Sequence, residues 1–243
     1  MNNKMKDATH SSLTAEFDSL ADEYYAQHTA NVAITGERPE YFAEYKVADL
    51  TRLALELNHP PRSILDFGCG IGNSIPHFRE YFSNQDVTYA DISKRSIELA
   101  SARFPGNENY CLIAEERLPL EDESQDITFS ACVFHHIPPV EHHHWLSELR
   151  RVTRRGGMLV IFEHNPFNPL TLRAVNTCPL DVNAKLISGP AFRKAAESAG
   201  WARARIDYRL FFPAALARMR PLEQRLTWLP LGAQYRLVAR RIE

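Results

Sequence analysis

The stretch that decides the fold is SILDFGCGIGNS, residues 63–74. Two apolar side chains lead into Asp66, and three glycines then follow at alternate positions, Gly68, Gly70 and Gly72. A short apolar run that ends in glycines is typical of a buried strand entering a tight loop. The acid at the end of that strand raises the question of which ligand group the loop accepts.

Short apolar runs alternate with helical patterns along the next hundred residues. After SILDF, the predicted strands are VTYAD, NYCLI, DITFSACVF and MLVIFEH, and the predicted helices cover 74–82, 94–103 and 139–153. Ser93 is a predicted N-cap, and the RRGG of 154–157 is expected to end the last of these helices. This alternation predicts a doubly wound α/β fold with a mostly parallel sheet and helices on both faces.

The flanking regions have a different pattern. Helical patterns at 13–29 and 39–57 precede the glycine loop, so residues 1–60 are predicted to form an N-terminal helical cap on a core of 61–243. The Asn- and Pro-rich segment 164–189 is too long for a minimal crossover and is predicted to be an inserted substrate lid. After it come a helix at 190–199, the strand ARARIDYRL, another helical stretch and the closing strand QYRLVARRI. The two strands are an expected antiparallel edge pair.

Composition narrows the function classes. The chain has 243 residues and a net charge of −2, which allows one domain with a substantial core and gives no sign of a nucleic-acid or anionic-membrane partner. The basic stretch after Arg193 is interpreted as a solvated face. The four cysteines form no CxxC pair, which argues against a zinc site or a disulfide framework. With no apolar leader and only strand-sized apolar runs, a cytoplasmic location without a membrane span is expected.

Three ligand classes compete for the glycine loop. A phosphate-binding P-loop needs GxxxxGK[ST], which is absent. A dinucleotide loop needs GxGxxG, but here the third glycine, Gly72, comes one position early. The Asp66 carboxylate would repel a pyrophosphate and attract a cation such as an α-ammonium group.

An acid followed by GxGxG resembles the first motif of the class I S-adenosylmethionine-dependent methyltransferases. The resemblance implies S-adenosylmethionine as the cofactor, with Asp66 near its methionine part and Gly68, Gly70 and Gly72 letting the backbone pass close to it. It also implies a Rossmann-like sheet of seven strands in the order 3-2-1-4-5-7-6, with an antiparallel edge strand.

Later motifs extend the resemblance over about residues 60–163. Asp91 ends the second strand, where a carboxylate can accept from both ribose hydroxyls, and Ile92 can lie against the adenine. A nicotinamide-dependent oxidoreductase would also place an acid at this position. In IAEERLPLEDESQDITF, Ala114 occupies the usual position of an acid, so Glu115 is the nearest candidate to read the adenine.

The end of the fourth strand, CVFHHIPP, resembles the hydrophobic stretch that the family carries there. The resemblance places Val133 at the cofactor and aligns His136 with the common histidine. His164, which follows the fifth strand, and His136 are the candidate bases for an acceptor hydroxyl, because the unperturbed histidine pKa lies near neutrality. A structural, hydrogen-bonded role remains open for both, and also for His135.

Candidate acceptor contacts come from the predicted cap and lid. They are Tyr24, Tyr45, Lys46, Asn165, Asn168 and Arg173. Lys46 would suit an anionic acceptor, and the tyrosines would wall the cleft, although ordinary helix packing explains aromatic residues equally well. The EHHHW of 141–145 is not expected to bind a metal, because consecutive histidines on a helix point in different directions.

These features predict an enzyme that moves the sulfonium methyl group to a small-molecule acceptor by in-line displacement. O-methylation is favoured, and C- or N-methylation remains possible. The NPF at 165–167 only superficially resembles the NPP signature of amino-group methyltransferases, because that signature follows strand four rather than strand five. Two alternatives stay open: a nicotinamide-dependent oxidoreductase and a non-catalytic cofactor-binding protein.

Overall fold

The computed structural model describes residues 15, 18, 21, 23–114 and 116–242. Their strands form a single sheet with these bounds: β1 Ser63–Phe67, β2 Asp86–Asp91, β3 Asn109–Leu112, β4 Gln125–Ala131, β5 Thr153–His164, β6 Ala202–Arg209 and β7 Gln234–Arg240. The α-helices are α1 Tyr24–Val32, α2 Pro39–Ala54, α3 Ile75–Tyr81, α4 Lys94–Arg103, α5 His142–Val152, α6 Pro169–Thr177 and α7 Gly189–Ser198. Short 3₁₀-helices cover Ala33–Thr35, Pro139–Glu141, Pro179–Asp181 and Ala214–Arg225.

The sheet has the order β3-β2-β1-β4-β5-β7-β6, which confirms the predicted fold class. β1 pairs in parallel with both β2 and β4, and β4 pairs in parallel with β5. β7 is antiparallel to both β5 and β6. Strand order reverses between β1 and β4, so their carboxyl ends open into the crevice where doubly wound sheets bind ligands.

The core lies on both faces of the sheet. On one face, α5 and α7 pack through Trp145, Leu149 and Phe192. On the other, α2 and α3 pack through Leu50 and Phe78. Because the central strands are covered on both sides, they are continuous apolar runs in the sequence rather than alternating ones.

Two local expectations can be checked directly. Ser93 caps α4 as predicted, because its Oγ accepts from the Ser96 backbone N–H at 3.0 Å. The prediction that 154–157 end a helix is wrong, because α5 ends at Val152 and these residues lie in β5. The glycines lie where the register of the β4–β5 pairing shifts. A Cβ on Gly157 would approach the Asp126 carbonyl oxygen to 2.7 Å, so a side chain would not fit there.

Other boundaries also differ from the predictions. The first half of the helix predicted at 13–29 lies mostly outside the described residues, and α1 continues to Val32. The helix predicted at 39–57 ends at Ala54, where the chain turns toward β1. The helical stretch after β6 is a 3₁₀ segment, Ala214–Arg225, that is kinked at Leu216.

The segment 164–189 contains α6 and the 3₁₀-helix Pro179–Asp181. Both of these elements contact α1. The Lys185 backbone N–H also donates to the His135 carbonyl oxygen at 2.7 Å, which ties the end of the segment to the loop after β4. The segment and the N-terminal helices therefore meet above the same crevice.

Among the described residues, no helix is both long enough and apolar enough to cross a bilayer.

Candidate active site

A cavity of about 430 Å³ opens at the carboxyl ends of β1, β2, β4 and β5. It brings together most of the predicted site residues. They are Asp66, Gly68, Gly70, Asp91, Ile92, Val133, His136, His164, Tyr24, Lys46 and Asn168. The walls come from the sheet on one side and from α1, α2 and the 164–189 segment on the other, so the cavity is a partly covered cleft.

The first two glycines of the loop have distinct roles. Gly68 has φ +78°, and a Cβ there would lie 2.4 Å from Val133 Cγ2, so the loop after β4 packs directly on its backbone. Gly70 has φ +52°, and a Cβ there would meet no atom within 4 Å. The Gly70 backbone therefore borders open space in the cavity, which fits the close approach of a ligand.

Gly72 does not line the cavity. It has φ +79°, and a Cβ on it would approach Ile75 Cδ1 to 2.7 Å and Ala100 Cβ to 2.9 Å. This glycine lets the loop pack against α3 and α4, so it shapes the loop and does not border the cavity.

Alanine substitutions should separate these roles. Both carry a positive-φ cost of about 1–2 kcal/mol. Gly68→Ala adds a clash with Val133, so the free energy of unfolding should fall by about 3 kcal/mol in total. Gly70→Ala adds no clash, so it should lose only the positive-φ cost of about 1–2 kcal/mol, but it should bind S-adenosylhomocysteine at least tenfold more weakly. Urea unfolding and calorimetry measure the two effects, and equal losses of stability would contradict the assignment.

Asp66 is 2% exposed at the end of β1. Its Oδ2 accepts from the Ser74 hydroxyl, whereas Oδ1 accepts no hydrogen bond from the described residues. Burial raises the pKa of this carboxyl to about 7, opposed by the Ser74 hydrogen bond and reinforced by Asp91. A buried, half-satisfied carboxyl that borders a cavity is suited to a cationic ligand group, because an ammonium would both pair with it and restore its ionised form.

Asp91 ends β2 and faces the same loop. Its Oδ2 accepts from the Gly70 backbone N–H at 2.7 Å, and its Oδ1 accepts from the Ser93 N–H at 2.9 Å. Burial raises its pKa, against the effect of these backbone hydrogen bonds. Each oxygen keeps a second lone pair, so Asp91 can accept ribose hydroxyls while it fixes the loop. Ile92 lines the neighbouring wall.

Glu163, His135 and Asp181 form a buried ion-pair network at the side of the cavity where β4 and β5 end. Glu163 Oε2 lies 2.7 Å from His135 Nδ1, and Asp181 Oδ1 lies 3.4 Å from His135 Nε2. Glu163 Oε1 also accepts from the backbone N–H groups of Val133 and Phe134, at 3.0 and 2.7 Å. Burial alone would lower the pKa of His135, but the two carboxylates outweigh it and raise that pKa to about 10. His135 is therefore an imidazolium at neutral pH.

This network sets the charge state of the two candidate bases. Burial, with the charge on His135, lowers the pKa of His136 to about 3 and that of His164 to about 4. His136 Nε2 lies 3.5 Å from Asp181 Oδ1, and the His164 ring centroid lies 5.0 Å from that of His135. Both imidazoles are neutral at pH 7, which is the form that accepts a proton.

Several predicted acceptor contacts have structural roles instead. Tyr45 lies outside the cavity lining, and its hydroxyl donates to Gln234 Oε1. Asn165 is fully buried and donates to the carbonyl oxygens of Pro230 and Gly232. Asn168 lines the cavity, but its side chain caps α6 by accepting from the Thr171 N–H at 3.0 Å.

Arg173 is exposed on α6 and does not reach the cavity lining. Glu115, the expected adenine contact, lies outside the described residues. Tyr24 and Lys46 are the predicted acceptor contacts that line the cavity without such a structural assignment.

Histidines 142–144 each bond to a backbone carbonyl. His142 Nε2 is 2.8 Å from the Ile137 oxygen, while His143 and His144 reach the oxygens of Ser198 and Glu116. They point in different directions, as expected. Elsewhere among the described residues, ligand atoms of His135, His136 and Asp181 lie within 4.8 Å of one another, a spacing compatible with a metal ion. Both His135 nitrogens already face carboxylates, so the ion-pair network accounts for this cluster.

The sequence analysis missed Glu163, Asp181 and His28. Glu163 comes at the carboxyl end of an apolar strand, directly before His164. An acid at that position could have indicated a site residue from the sequence alone. Asp181 and His28 carry no such signal, because they reach the cavity only through the packing of α1 against the 164–189 segment. The cavity also contains Cys132, which has φ +59° at the turn after β4, a strained conformation of the kind that clusters at functional sites.

Comparison with known proteins indicates which family has this arrangement of residues. A methyltransferase-domain family model matches residues 65–161, which run from β1 to β5. Residues 65–161 therefore form a methyltransferase domain of the class I S-adenosylmethionine-dependent kind. The predicted resemblance is confirmed, and S-adenosylmethionine is the cofactor that goes with it. The Asp66 carboxyl, the open space at Gly70 and the accepting oxygens of Asp91 fit that cofactor.

Individual relatives differ in acceptor. The chain is 30% identical over 122 residues to a tRNA N(3)-methylcytidine methyltransferase of Drosophila melanogaster, covering 46% of this chain and 38% of that protein. It is 28% identical over 177 residues to a malonyl-[acyl-carrier protein] O-methyltransferase of Methylococcus capsulatus, covering 69% and 62%. In both cases the match spans less than two thirds of the relative's own length.

Among solved structures, the fold matches a methyltransferase from Thermotoga maritima described as a possible histamine N-methyltransferase. The TM-score is 0.63 at 17% identity, and the match covers 94% of this chain and 99% of that chain. At this identity the likeness concerns the fold, including the sheet order and the position of the crevice.

Proposed function

We propose that the protein transfers the methyl group of S-adenosylmethionine to a small-molecule acceptor, with O-methylation as the favoured reaction. One observation carries the proposal: the same cavity of about 430 Å³ has the half-satisfied carboxyl of Asp66 and the neutral imidazole of His164 in its walls. A cavity of this size suits a cofactor and a small acceptor group.

The cofactor, when bound, supplies a methyl group already activated on a sulfonium with a neutral leaving group. The protein's task is therefore to position the acceptor and to exclude water. Asp66, Gly70, Asp91 and Val133 would hold the cofactor. The helices α1, α2 and α6 cover the acceptor end of the cavity, which supports the predicted cap and lid roles.

His164 is the favoured base for an acceptor hydroxyl. It lines the cavity next to β5 and is neutral at pH 7, because burial and the positive charge of His135 lower its pKa to about 4. His136 is the second candidate, but its Nε2 already lies 3.5 Å from the Asp181 carboxylate. A neutral amine acceptor would need no such base before the transfer, because its lone pair is already free to attack.

Replacing His164 with alanine should cut turnover at least tenfold and leave S-adenosylhomocysteine affinity unchanged, because general base catalysis contributes about 10²–10⁴-fold. Single-turnover assays and calorimetry on the same samples measure the two quantities. His143→Ala, on the exposed side of α5, is the matched control. Unchanged turnover in the His164 variant would remove this residue from the mechanism.

Calorimetric titration with S-adenosylhomocysteine and with NADH tests the reaction class. We expect heat from the first ligand and none from the second. Tight NADH binding without S-adenosylhomocysteine binding would restore the oxidoreductase alternative. Binding of S-adenosylhomocysteine without transfer to any hydroxylated compound or to tRNA would instead favour a non-catalytic cofactor-binding protein.

A small molecule is preferred over tRNA as the acceptor, although one relative is named for a tRNA reaction. The net charge of −2 provides no overall basic excess for a nucleic-acid backbone. The cysteines at 69, 111, 132 and 178 are all free thiols, which supports a reducing, cytoplasmic location as part of the proposal.

A further inference from the structure

Lys46 is a buried cation without a carboxylate counter-ion in the described part of the chain. It is 7% exposed on α2, it lines the cavity, and no described carboxylate lies within ion-pair distance of its Nζ. Its recorded contact is with the Tyr45 ring, whose centroid lies 5.4 Å from Nζ. Buried charges in proteins are normally paired, because leaving one unpaired in a low-dielectric site is costly.

Two buried carboxylates outside the cavity lining follow that rule. Asp49, also on α2 and 3% exposed, pairs with Arg209 at 2.6 Å and with Arg236 at 2.8 Å. Asp126 pairs with Arg154 at 2.9 Å. Lys46 is thus an exception within its own helix, and the cavity is the side from which a partner could reach it.

The Lys46 charge affects the pKa values of several groups in the cavity wall. It lowers the pKa of His28, of His164 and of the Cys132 thiol. It is not among the groups that shift the pKa of Asp66, which responds to burial, Ser74 and Asp91. The Lys46 charge therefore acts on groups of α1 and of the ends of β4 and β5, and not on the Asp66 carboxyl.

Two further polar groups in the same wall are incompletely satisfied. The Nδ1 atom of His28 is buried without a hydrogen-bond partner. The Gln234 amide donates to Cys132 Sγ at 3.6 Å, and sulfur is a weak acceptor. Together with Lys46, these groups leave polar positions in the cavity wall that a ligand could satisfy.

We propose that this wall is an anion subsite, and that the methyl acceptor carries a carboxylate or phosphate group that pairs with Lys46. That the bound anion belongs to the methyl acceptor rests on the proposed methyl-transfer function. That Lys46 binds an anion does not depend on it. A bound anion would also offset the effect of the Lys46 charge on His164. It would therefore make that imidazole a stronger base only when the acceptor is in place.

Bromide is the first probe, because it needs no particular ligand shape. In crystals of the S-adenosylhomocysteine complex soaked in bromide, we expect an anomalous peak in contact with Lys46 Nζ that disappears in Lys46→Met. Lys194→Met, on the exposed face of α7, is the matched control and should keep the peak. Peaks only at surface lysines, or a peak that persists in Lys46→Met, would overturn the proposal.

Solution binding identifies the chemical class. Benzoate and inorganic phosphate are titrated against the S-adenosylhomocysteine complex, with benzamide as the neutral isostere of benzoate. We expect one of the anions to displace bromide and to lose at least tenfold in affinity in Lys46→Met, while Lys46→Arg retains binding. Equal binding of benzoate and benzamide, or failure of both anions to compete with bromide, would refute the subsite.

Cofactor binding separates this proposal from the proposed function. S-adenosylhomocysteine should bind Lys46→Met and wild type equally well. A tenfold weaker affinity in Lys46→Met would mean that Lys46 holds the cofactor's own carboxylate, which overturns the acceptor subsite but not methyl transfer. If wild type fails to bind S-adenosylhomocysteine, methyl transfer is refuted, and bromide soaks of crystals without it still decide whether Lys46 binds anions.

Discussion

Asp66→Asn should weaken S-adenosylhomocysteine binding by about 30-fold or more while leaving the fold intact. The amide keeps the size of the side chain and can still accept from the Ser74 hydroxyl, but it cannot offer a negative charge to an α-ammonium. Loss of one charge-assisted hydrogen bond in a buried site costs on the order of 2 kcal/mol, which corresponds to that factor. Calorimetry measures the affinity, and thermal unfolding checks stability.

The same carboxyl predicts a pH dependence. In the free protein burial raises the Asp66 pKa to about 7, and a bound ammonium favours the ionised form and lowers that pKa. Affinity should therefore rise from about pH 5.5 to about pH 7 and level off above it. In Asp66→Asn this rise should disappear. The control is Asp86→Asn, an exposed acid at the opposite end of β2, which should keep wild-type affinity and slope. An unchanged slope in Asp66→Asn would assign the titration to another group.

The cofactor half of the site was predictable because local sequence determines it. Asp66 and Gly70 lie on one strand and its loop, and Asp91 ends the next strand along the chain. In a parallel sheet such positions meet at one edge whatever the rest of the chain does. The sheet order was likewise implied by the motifs between residues 60 and 163, and the buried strands were visible as continuous apolar runs.

The acceptor half was much less predictable, because long-range packing decides which polar groups remain free. Asn165 follows β5 and looked available, but backbone carbonyls more than sixty residues away take its amide. Glu163 and Asp181 meet His135 only after the 164–189 segment has folded over the sheet. Lys46 could be singled out from the sequence more easily than Asn165. It shares one face of α2 with the buried Leu50 and Leu53, and a lysine on an otherwise apolar helix face is unusual enough to be noticed.

The second large effect is expected for Glu163→Gln, which should lower the free energy of unfolding by about 3 kcal/mol or more. Glutamine can still accept from the backbone of Val133 and Phe134, but it leaves the His135 imidazolium facing Asp181 alone. Removing one partner of a buried ion pair costs more than the pair contributes, because the remaining charge stays desolvated. Urea unfolding at constant ionic strength measures the loss. His59→Asn, at an exposed histidine, is the control and should change stability little.

This effect should depend on pH in a direction fixed by the charges around His135, which faces Glu163, Asp181, Cys132 and the neutral His136 and His164. Its folded-state pKa is raised to about 10 from the ordinary histidine value of 6.5, so the stabilisation it gives is fully present below about pH 6.5 and is lost as pH rises through about 10. The pKa of Glu163 is lowered, so its contribution is present above about pH 4.5 and is lost on acidification. The stability gap between wild type and Glu163→Gln should therefore be widest between about pH 4.5 and pH 6.5 and narrow toward pH 10. A gap that stays constant over this range would show that His135 is neutral and that hydrogen bonding alone holds the 164–189 segment to the sheet.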